Sequence, residues 1–237
     1  DRPLSRGLGD VYKRQKQYSL ILDLYNQNLL FIKGKILMKI GSPKLKDKDP
    51  FIMFNKWFKL ASKREISDPN AISLSTSNSK GYPNVRIVLM KKFDKDGLVF
   101  FSNSKSKKGI EIESNSRAAV CFHWKSLEKQ VRLRGKIKKI SKKDSDSYFS
   151  SRDRSSQIGA WASIQSKKLI KRENLEKRYN EISLKYKNKD IPRPPHWGGY
   201  VIKPNEIEFW DNRPYRLHER LLFQKKKDKW VSINLFP

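Results

Sequence analysis

Cysteine and histidine are almost absent from this sequence of 237 residues, which contains one Cys and three His. Cys121 has no second thiol to pair with, which excludes an intrachain disulfide and any metal site built from several cysteines of this chain. The three histidines also lack the short spacings that zinc ligands show. We therefore predict no metal centre.

Long apolar runs are missing as well. Residues 18–32 come nearest to one, but Asp23 and three amide side chains interrupt them, and they lack a small-residue cleavage site. A membrane-spanning helix needs about 20 predominantly apolar residues. We expect no membrane segment and no signal peptide, and hence a cytoplasmic protein.

Acidic residues are scarce too, with 24 Asp and Glu against 53 Lys and Arg, a formal net charge of +29. Such an excess is typical of proteins with acidic partners, above all nucleic acid. Here most of the positive charge is Lys spread along the whole chain, which favours a compositional drift with solvated lysines. We therefore do not expect a nucleic-acid partner, although a basic nucleic-acid-binding protein stays an alternative.

The periodicity of the chain predicts mixed helices and strands. Pro50 begins a helix whose aromatic residues recur at helical spacing. Further helices are predicted at 105–115, 142–151 and 167–187. Alternation and turn signals predict strands at 71–76, 85–90, 98–102, 117–124, 130–140, 200–202, 207–210, 215–224 and 230–235. Short antiparallel strands with interspersed helices indicate a small barrel of the α+β class.

The first 48 residues differ from the rest of the chain. Residues 1–15 have no usable periodicity and look like read-through from outside the gene, and residues 16–48 are Lys-rich and poorly patterned. We expect residues 1–48 to be a mobile, partly non-native N-terminal extension. Residues 49–237 are expected to form a single folded domain.

Two clusters have compositions that a hydrophobic core does not require. Residues 148–166 place a Tyr, two Arg and several Ser around an apolar Ile-Gly-Ala-Trp, and residues 216–220 read RLHER. Arg offers a fork of donors that matches phosphate oxygens, and hydroxyls can complete such a pocket. The clusters predict a site for one or more small phosphorylated ligands. If the predicted strand 215–224 is regular, Arg216, His218 and Arg220 share one face of it.

Other cations fall at positions where an anion could bind. Arg86 and Lys91 belong to one predicted strand, and the period of two places them on opposite faces, either toward two anions or as parts of an ordinary amphipathic strand. Lys107 and Lys108 follow Ser106 at a predicted helix start, where phosphate is favoured. Solvated lysines are the plainer interpretation of that pair.

Taken in order along residues 49–237, these motifs resemble the pyridoxine/pyridoxamine 5′-phosphate oxidase family. They are Asp68-Pro69, RIVLMK at 86–91, VFFSNSKSKKG at 99–109, LEKQV at 127–131, RDRSSQIGAWAS at 152–163 followed by Gln165-Ser166, HWGGY at 196–200, IEFW at 207–210 and RLHER at 216–220. The resemblance implies an FMN-binding split β-barrel of antiparallel strands with flanking helices. It also implies a homodimer with two FMN sites at the interface, each built from both subunits.

The resemblance also implies roles for particular residues. FMN would be bound by Arg86, Ile87, Val88, Leu89, Met90, Lys91, Phe101, Ser102, Lys107, Lys108, Gln130, Gln165, Ser166, Trp210 and Arg220. The substrate would be bound by Lys91, Tyr148, Arg152, Ser156, Arg216, Leu217 and His218. The catalytic residues would be Arg216, His218 and Asp68.

The activity that the resemblance implies is FMN-dependent oxidation of pyridoxamine 5′-phosphate and pyridoxine 5′-phosphate to pyridoxal 5′-phosphate. Dioxygen would be reduced to hydrogen peroxide, and ammonia would leave from the amine substrate. A split-barrel flavin reductase that uses a nicotinamide is the alternative within the enzymes. It would depend only weakly on Arg216 and His218.

Three positions depart from the pattern common in this family. Residues 33–48 contain no Arg-x-x-Tyr, the pair that closes over the substrate in many members. Lys107 stands where Arg is common, which keeps the charge but loses the bidentate fork. Phe101 stands where Tyr is common, which removes one hydroxyl.

Overall fold

The computed structural model describes residue 45 and residues 47–237, which belong to one compact unit. Most of the expected N-terminal extension, residues 1–48, therefore lies outside the described residues. Within the described part, Leu45 packs into the main core with 8% of its surface exposed. Asp47 accepts a hydrogen bond from Lys56 Nζ at 2.6 Å.

In the described part of the chain, nine antiparallel strands form one curled sheet. They are β1 (Ala71–Ser77), β2 (Pro83–Leu89), β3 (Lys92–Asp94), β4 (Gly97–Asn103), β5 (Arg117–Trp124), β6 (Lys129–Lys139), β7 (Trp197–Asp211), β8 (Glu219–Lys226) and β9 (Lys229–Leu235). The order across the sheet is β2-β1-β5-β6-β7-β4-β3, and the hairpin β8-β9 joins it through β7. The predicted α+β class with an antiparallel half-barrel and flanking helices is confirmed.

Five α-helices flank this sheet in the described part of the chain. They are α1 (Pro50–Arg64), α2 (Lys107–Ser114), α3 (Lys142–Ser150), α4 (Arg154–Ala162) and α5 (Arg172–Lys185). Short 3₁₀ turns cover Lys125–Leu127 and Pro214–Arg216. None of the described helices combines the length and the apolar character that crossing a membrane requires.

Helix α1 begins where the sequence predicts and fills the inside of the sheet. Asp49 caps it by accepting from the backbone N–H of Phe51 and Ile52, and Pro50 occupies the first turn, where its missing N–H costs nothing. Phe54 is fully buried and packs edge-on against Phe93, with ring centroids 4.6 Å apart. The helix is thus anchored in the main core.

The prediction of two separate strands at 200–202 and 207–210 is wrong, because β7 runs unbroken through fifteen residues. Pro204 lies opposite an irregularity of the ladder between Arg134 and Gly135, and a proline is tolerated at such a bulge. Gly135 allows the close approach, since a Cβ there would lie 2.0 Å from Lys203 O. A local break in the pattern therefore marks a bulge rather than the end of a strand.

The other differences concern the two clusters of the sequence. Residues 154–162, which the sequence left without a secondary structure, form α4. The predicted strand 215–224 begins later, at Glu219, because Tyr215 and Arg216 have φ of 59° and 61° and lie in a 3₁₀ turn. A regular strand face shared by Arg216, His218 and Arg220 is therefore wrong, since Arg220 alone of the three lies in β8.

Candidate active site

A cleft of about 1170 Å³ lies between β2, β4, the start of α2 and the α3–α4 region. Its volume exceeds that of ordinary single-ligand pockets, about 300–1,000 Å³. Fourteen of the predicted site residues line it, namely Arg86, Ile87, Val88, Leu89, Lys91, Phe101, Ser102, Lys107, Lys108, Tyr148, Arg152, Ser156, Gln165 and Ser166. The fold therefore gathers into one cavity residues that are up to 80 positions apart in sequence.

The first set of cations in the cleft comes from β2 and the start of α2. The guanidinium of Arg86 donates to Thr76 Oγ1 at 2.5 Å and forms an ion pair with Glu111 Oε2 at 3.1 Å. Lys107 and Lys108 occupy the first turn of α2, whose cap Ser106 accepts from the N–H of Gly109. The positive end of the helix dipole thus adds to three side-chain charges, an arrangement that favours a phosphate.

Lys108 is held close to this positive charge. Its Nζ lies 3.4 Å from Ser106 Oγ, and the residue is 8% exposed. Burial lowers the pKa of Lys108, the charge of Arg86 lowers it further, and the carboxylate of Glu111 acts in the opposite direction. A bound anion would relieve the repulsion between the two cations.

The second set of cations is framed by aromatic rings. Phe101 stacks on Tyr148 at 3.9 Å and on Trp197 at 5.2 Å between ring centroids. The guanidinium of Arg152 lies 4.8 Å from the Trp197 ring centroid, and Lys91 Nζ lies 5.8 Å from that of Tyr148. The rings hold both cations at the cavity without neutralising them.

Arg152 carries an unsatisfied donor. Its Nη1 is buried and has no hydrogen-bond partner among the described residues, and burial lowers its pKa. A buried charged donor without a partner costs more free energy than most single contacts contribute. An anionic ligand in the cleft would supply the missing acceptor, so the residues present fit a phosphorylated molecule.

The prediction that Arg86 and Lys91 point to opposite faces does not describe this geometry. Strand β2 ends at Leu89, and Lys91 lies in the connection to β3, so both side chains line the same cleft. Met90, between them, is 6% exposed and packs in the main core. Its backbone N–H and C=O both bond to Asn70, which fixes the end of the strand.

A second group of predicted residues lies outside this cleft, at one end of β6, β7 and β8. Gln130 is the register partner of Trp210, which in turn pairs with Arg220. The rings of Trp210 and His218 are 4.6 Å apart. We call Gln130, Trp210, Arg216, Leu217, His218 and Arg220 the sheet-end cluster.

Arg220 of the sheet-end cluster and several cations around the cluster are already paired. Arg220 donates to Glu208 Oε1 at 2.8 Å and to the carbonyl of Phe236 at 3.0 Å. Glu208 also pairs with Arg132, and the two guanidiniums together outweigh burial and lower the pKa of this carboxyl. His218 Nδ1 accepts from the backbone N–H of Arg213 at 3.3 Å, which places the proton of the neutral ring on Nε2.

Asp68, the remaining predicted catalytic residue, also lies outside the cleft. It is exposed in the connection before β1 with φ of 42°, and its carbonyl accepts from the N–H of Ala71. Sequence reasoning missed Glu111 altogether. Its buried carboxylate accepts from Thr76 and Asn84 as well as Arg86. The only sequence signal was a carboxylate at a helical position that turns out to face the sheet.

An exposed apolar row adjoins the cleft. Val85, Ile87 and Leu89, alternate residues of β2, are 70%, 62% and 38% exposed. Alternate apolar residues on an edge strand ordinarily face the core, and an uncovered row of this kind marks an interaction surface. No group of three or more His, Cys, Asp or Glu residues in the described part of the chain is arranged to hold a metal ion.

A half-barrel of antiparallel strands defines a split-barrel protein, and its cationic, aromatic-lined cleft has the chemistry that suits phosphorylated ligands. Comparisons with known proteins identify the family within this class. The family described as "Pyridoxamine 5′-phosphate oxidase" matches residues 58–186, and "Pyridoxine 5′-phosphate oxidase C-terminal dimerisation region" matches residues 197–237. The chain therefore belongs to the pyridoxine/pyridoxamine 5′-phosphate oxidase family.

Sequence relatives agree with this assignment, and solved structures agree with the fold. A pyridoxine/pyridoxamine 5′-phosphate oxidase of Caulobacter vibrioides is 50% identical over 82% of this chain and 88% of its own, and one of Brucella canis is 51% identical over 80% and 94%. PhzG from Burkholderia lata superposes with a TM-score of 0.76 at 26% identity, covering 87% of this chain and 99% of its own. A pyridoxamine 5′-phosphate oxidase-related, FMN binding protein from Nostoc punctiforme shares the fold, with a TM-score of 0.65 at 15% identity over 81% and 100%.

Proposed function

We propose that this protein oxidises pyridoxamine 5′-phosphate and pyridoxine 5′-phosphate to pyridoxal 5′-phosphate with FMN as its cofactor. Dioxygen is the acceptor and becomes hydrogen peroxide. With the amine substrate, water hydrolyses the imine that is formed, which gives the aldehyde and releases ammonia. The observation that carries the proposal is a single cleft that contains two sets of cations. The chain is also 50% identical, over 82% of its length, to a protein named pyridoxine/pyridoxamine 5′-phosphate oxidase. Two phosphorylated ligands need two cationic pockets, and the cleft offers both.

The first set of cations is assigned to the cofactor. Arg86, Lys107 and Lys108, with Ser166 nearby in the same cleft, would hold the phosphate of FMN. The flavin would lie along residues 86–91. Further contacts would come from Phe101, Ser102, Gln130, Gln165, Trp210 and Arg220.

The second set is assigned to the substrate. Lys91, Tyr148, Arg152 and Ser156 would hold the substrate phosphate, and the unsatisfied Arg152 donor is the strongest support for this assignment. Tyr148 and Ser156 offer hydroxyl donors beside the two cations. A phosphate bound here fixes one end of the substrate and lowers the entropic cost of reaching a reactive orientation.

The sheet-end cluster is assigned to the same site through a second copy of the chain. The exposed apolar residues of β2 beside the cleft are suited to contact with another protein surface. The region that matches the family's dimerisation region, residues 197–237, includes most of the sheet-end cluster. In a homodimer, the cluster of one copy would close the cleft of the other. Sedimentation that yields the mass of a single chain would contradict this assembly.

When bound, FMN would supply the redox chemistry, which is acceptance of a hydride from C4′ of the substrate and transfer of the two electrons to dioxygen. The chain contributes binding and orientation. Arg216 and His218 are assigned to the pyridine ring and its 3-oxygen, where the Nε2 proton of His218 can be donated. Asp68 is assigned to the surroundings of the pyridine ring in the same homodimer.

The test is direct. Purified protein is supplied with FMN, pyridoxamine 5′-phosphate and oxygen, and both hydrogen peroxide and the absorbance of the aldehyde product are followed. We expect both to appear in equal amounts. If neither forms, the proposed function is wrong, and reduction of flavin by a nicotinamide in the same preparation would favour the reductase alternative.

A further inference from the structure

We propose that Glu111 is a positioning residue that aims Arg86 at the phosphate of the flavin nucleotide. Through Arg86 it makes the cleft select phosphorylated over unphosphorylated flavin. The inference rests on the proposed function, since it assumes that FMN binds here. It concerns a residue that lies behind the cleft and touches no ligand.

Glu111 connects three elements through a buried carboxylate whose side chain is 5% exposed. One oxygen accepts from Thr76 Oγ1 at 2.5 Å and from Arg86 Nη2 at 3.1 Å, and the other accepts from Asn84 Nδ2 at 2.5 Å. Thr76 lies in β1, and Asn84 and Arg86 lie in β2. The carboxylate thus ties α2, which presents the two lysines, to the strand that presents the arginine.

These contacts fix the direction of the Arg86 side chain. Both terminal nitrogens of the guanidinium are engaged, Nη1 by Thr76 and Nη2 by Glu111, and the side chain still lines the cleft with 21% of its surface exposed. A free arginine has many rotamers, and choosing one on binding costs conformational entropy. Because Glu111 selects the rotamer beforehand, the phosphate meets a preorganised donor.

Charge alone predicts the opposite effect, which makes the inference testable. A carboxylate beside an anion site repels the anion, so its removal would strengthen FMN binding if orientation did not matter. Glu111 also raises the pKa of Lys108 against the effects of burial and Arg86. Without Glu111, Arg86 would lose the hydrogen bond that orients it. Lys108 would then lie beside the positive charge of Arg86 with no carboxylate to offset the repulsion.

A role in folding alone would affect all ligands of the cleft equally. Positioning of Arg86 affects only ligands that carry the phosphate, and riboflavin lacks it. Glu113 provides a matched control, since it lies two residues away on α2, is 69% exposed and pairs with Lys139 at 2.7 Å. Its charge is the same, but its contacts do not reach the cleft.

The experiment titrates flavin-free protein with FMN and with riboflavin and follows the flavin fluorescence. For Glu111→Gln we expect the Kd of FMN to rise about tenfold while that of riboflavin changes less than about twofold. Glu113→Gln should leave both constants unchanged. Equal losses for both flavins, or FMN binding that is unchanged or tighter, would overturn the inference.

Two further variants keep the result decisive. If Glu111→Gln does not fold, Thr76→Val removes one contact of Arg86 and one of Glu111 while keeping the charges, and an FMN-selective loss is expected there as well. In an Arg86→Ala background, Glu111→Gln should no longer weaken FMN binding, since the residue acts through Arg86. A wild type that binds neither flavin would instead overturn the proposed function itself.

Discussion

The cleft and the sheet-end cluster differ in how most of their cations are held, and Arg86, which is paired with Glu111, is the exception in the cleft. In the cleft, Lys91, Lys107, Lys108 and Arg152 have no carboxylate partner among the described residues, and one Arg152 donor is unsatisfied. At the sheet end, Arg220 and its neighbours Arg132, Lys129 and Arg213 are paired with Glu208, Asp211 and Glu219. Unpaired cations are suited to binding anions, whereas paired ones are suited to holding a fixed geometry.

The largest effect is expected when Arg152, the cation with the unsatisfied donor, is removed from the cleft. Arg152→Ala should lower kcat/KM for pyridoxamine 5′-phosphate by about 10²-fold or more, because a buried charge-assisted contact to the phosphate is lost. FMN should remain bound, since Arg152 is assigned to the substrate. Steady-state kinetics and the flavin absorbance of the purified variant measure the two effects.

Arg172→Ala serves as the control for that change. Arg172 is exposed on α5 and pairs with Glu176 one turn later, so its loss should leave kcat/KM within about twofold. Equal turnover by the Arg152 variant and the wild type would contradict the assignment of the second set of cations.

The next prediction separates the two regions by their readout. Arg216→Ala and His218→Ala should each lower kcat by about 10- to 100-fold while FMN stays bound, since these residues are assigned to the substrate ring. Arg86→Ala should instead weaken FMN retention through loss of a phosphate contact. Kinetics at saturating FMN, together with the flavin content after dialysis, distinguish the two classes.

Circular dichroism and thermal unfolding of the three variants provide the control. Arg216→Ala and His218→Ala should melt within a few degrees of the wild type, because neither side chain belongs to the main core. Arg86→Ala should melt lower, because it leaves the buried Glu111 carboxylate without its cation. If the changes only unfold the protein, the division into substrate and cofactor roles fails.

The smallest expected effect is a pH dependence of FMN binding. The phosphate is bound best by protonated Lys108, and burial lowers the pKa of this amine. FMN affinity should therefore fall at alkaline pH as Lys108 loses its proton, and Lys108→Arg should move that fall to higher pH. Binding titrations at increasing pH measure it, and the same profile in Lys108→Arg and the wild type would contradict a contact between Lys108 and the phosphate.

Local patterns sufficed for much of the fold. Asp49-Pro50 at a helix start, Asp94 to Gly97 at a hairpin and the alternation in 131–138 each reflect contacts between near neighbours. Local patterns did not reveal the bulge at Gly135 or the positive φ of Tyr215 and Arg216. The bulge arises from the close approach of strands that are distant in sequence. The positive φ values occur in a turn without a glycine, so the residue types there do not indicate them.

The candidate site was predictable only as a set of motifs. Residue types and their order pointed to two phosphate pockets, and the structure gathers fourteen of those residues into one cleft. The role of Glu111 could not be predicted, because its partners Thr76 and Arg86 lie on strands more than twenty positions away. Neither could the separation of the sheet-end cluster from the cleft be read from the spacing of motifs.

We propose that one active site needs the cleft of one copy of the chain and the sheet-end cluster of another. The most direct test co-expresses Arg152→Ala and His218→Ala chains with different affinity tags and isolates the mixed dimer. Each variant alone should be nearly inactive, whereas the mixed dimer has one intact site of two and should show about half of the wild-type activity. A mixed dimer as inactive as its parents would contradict a site shared between copies.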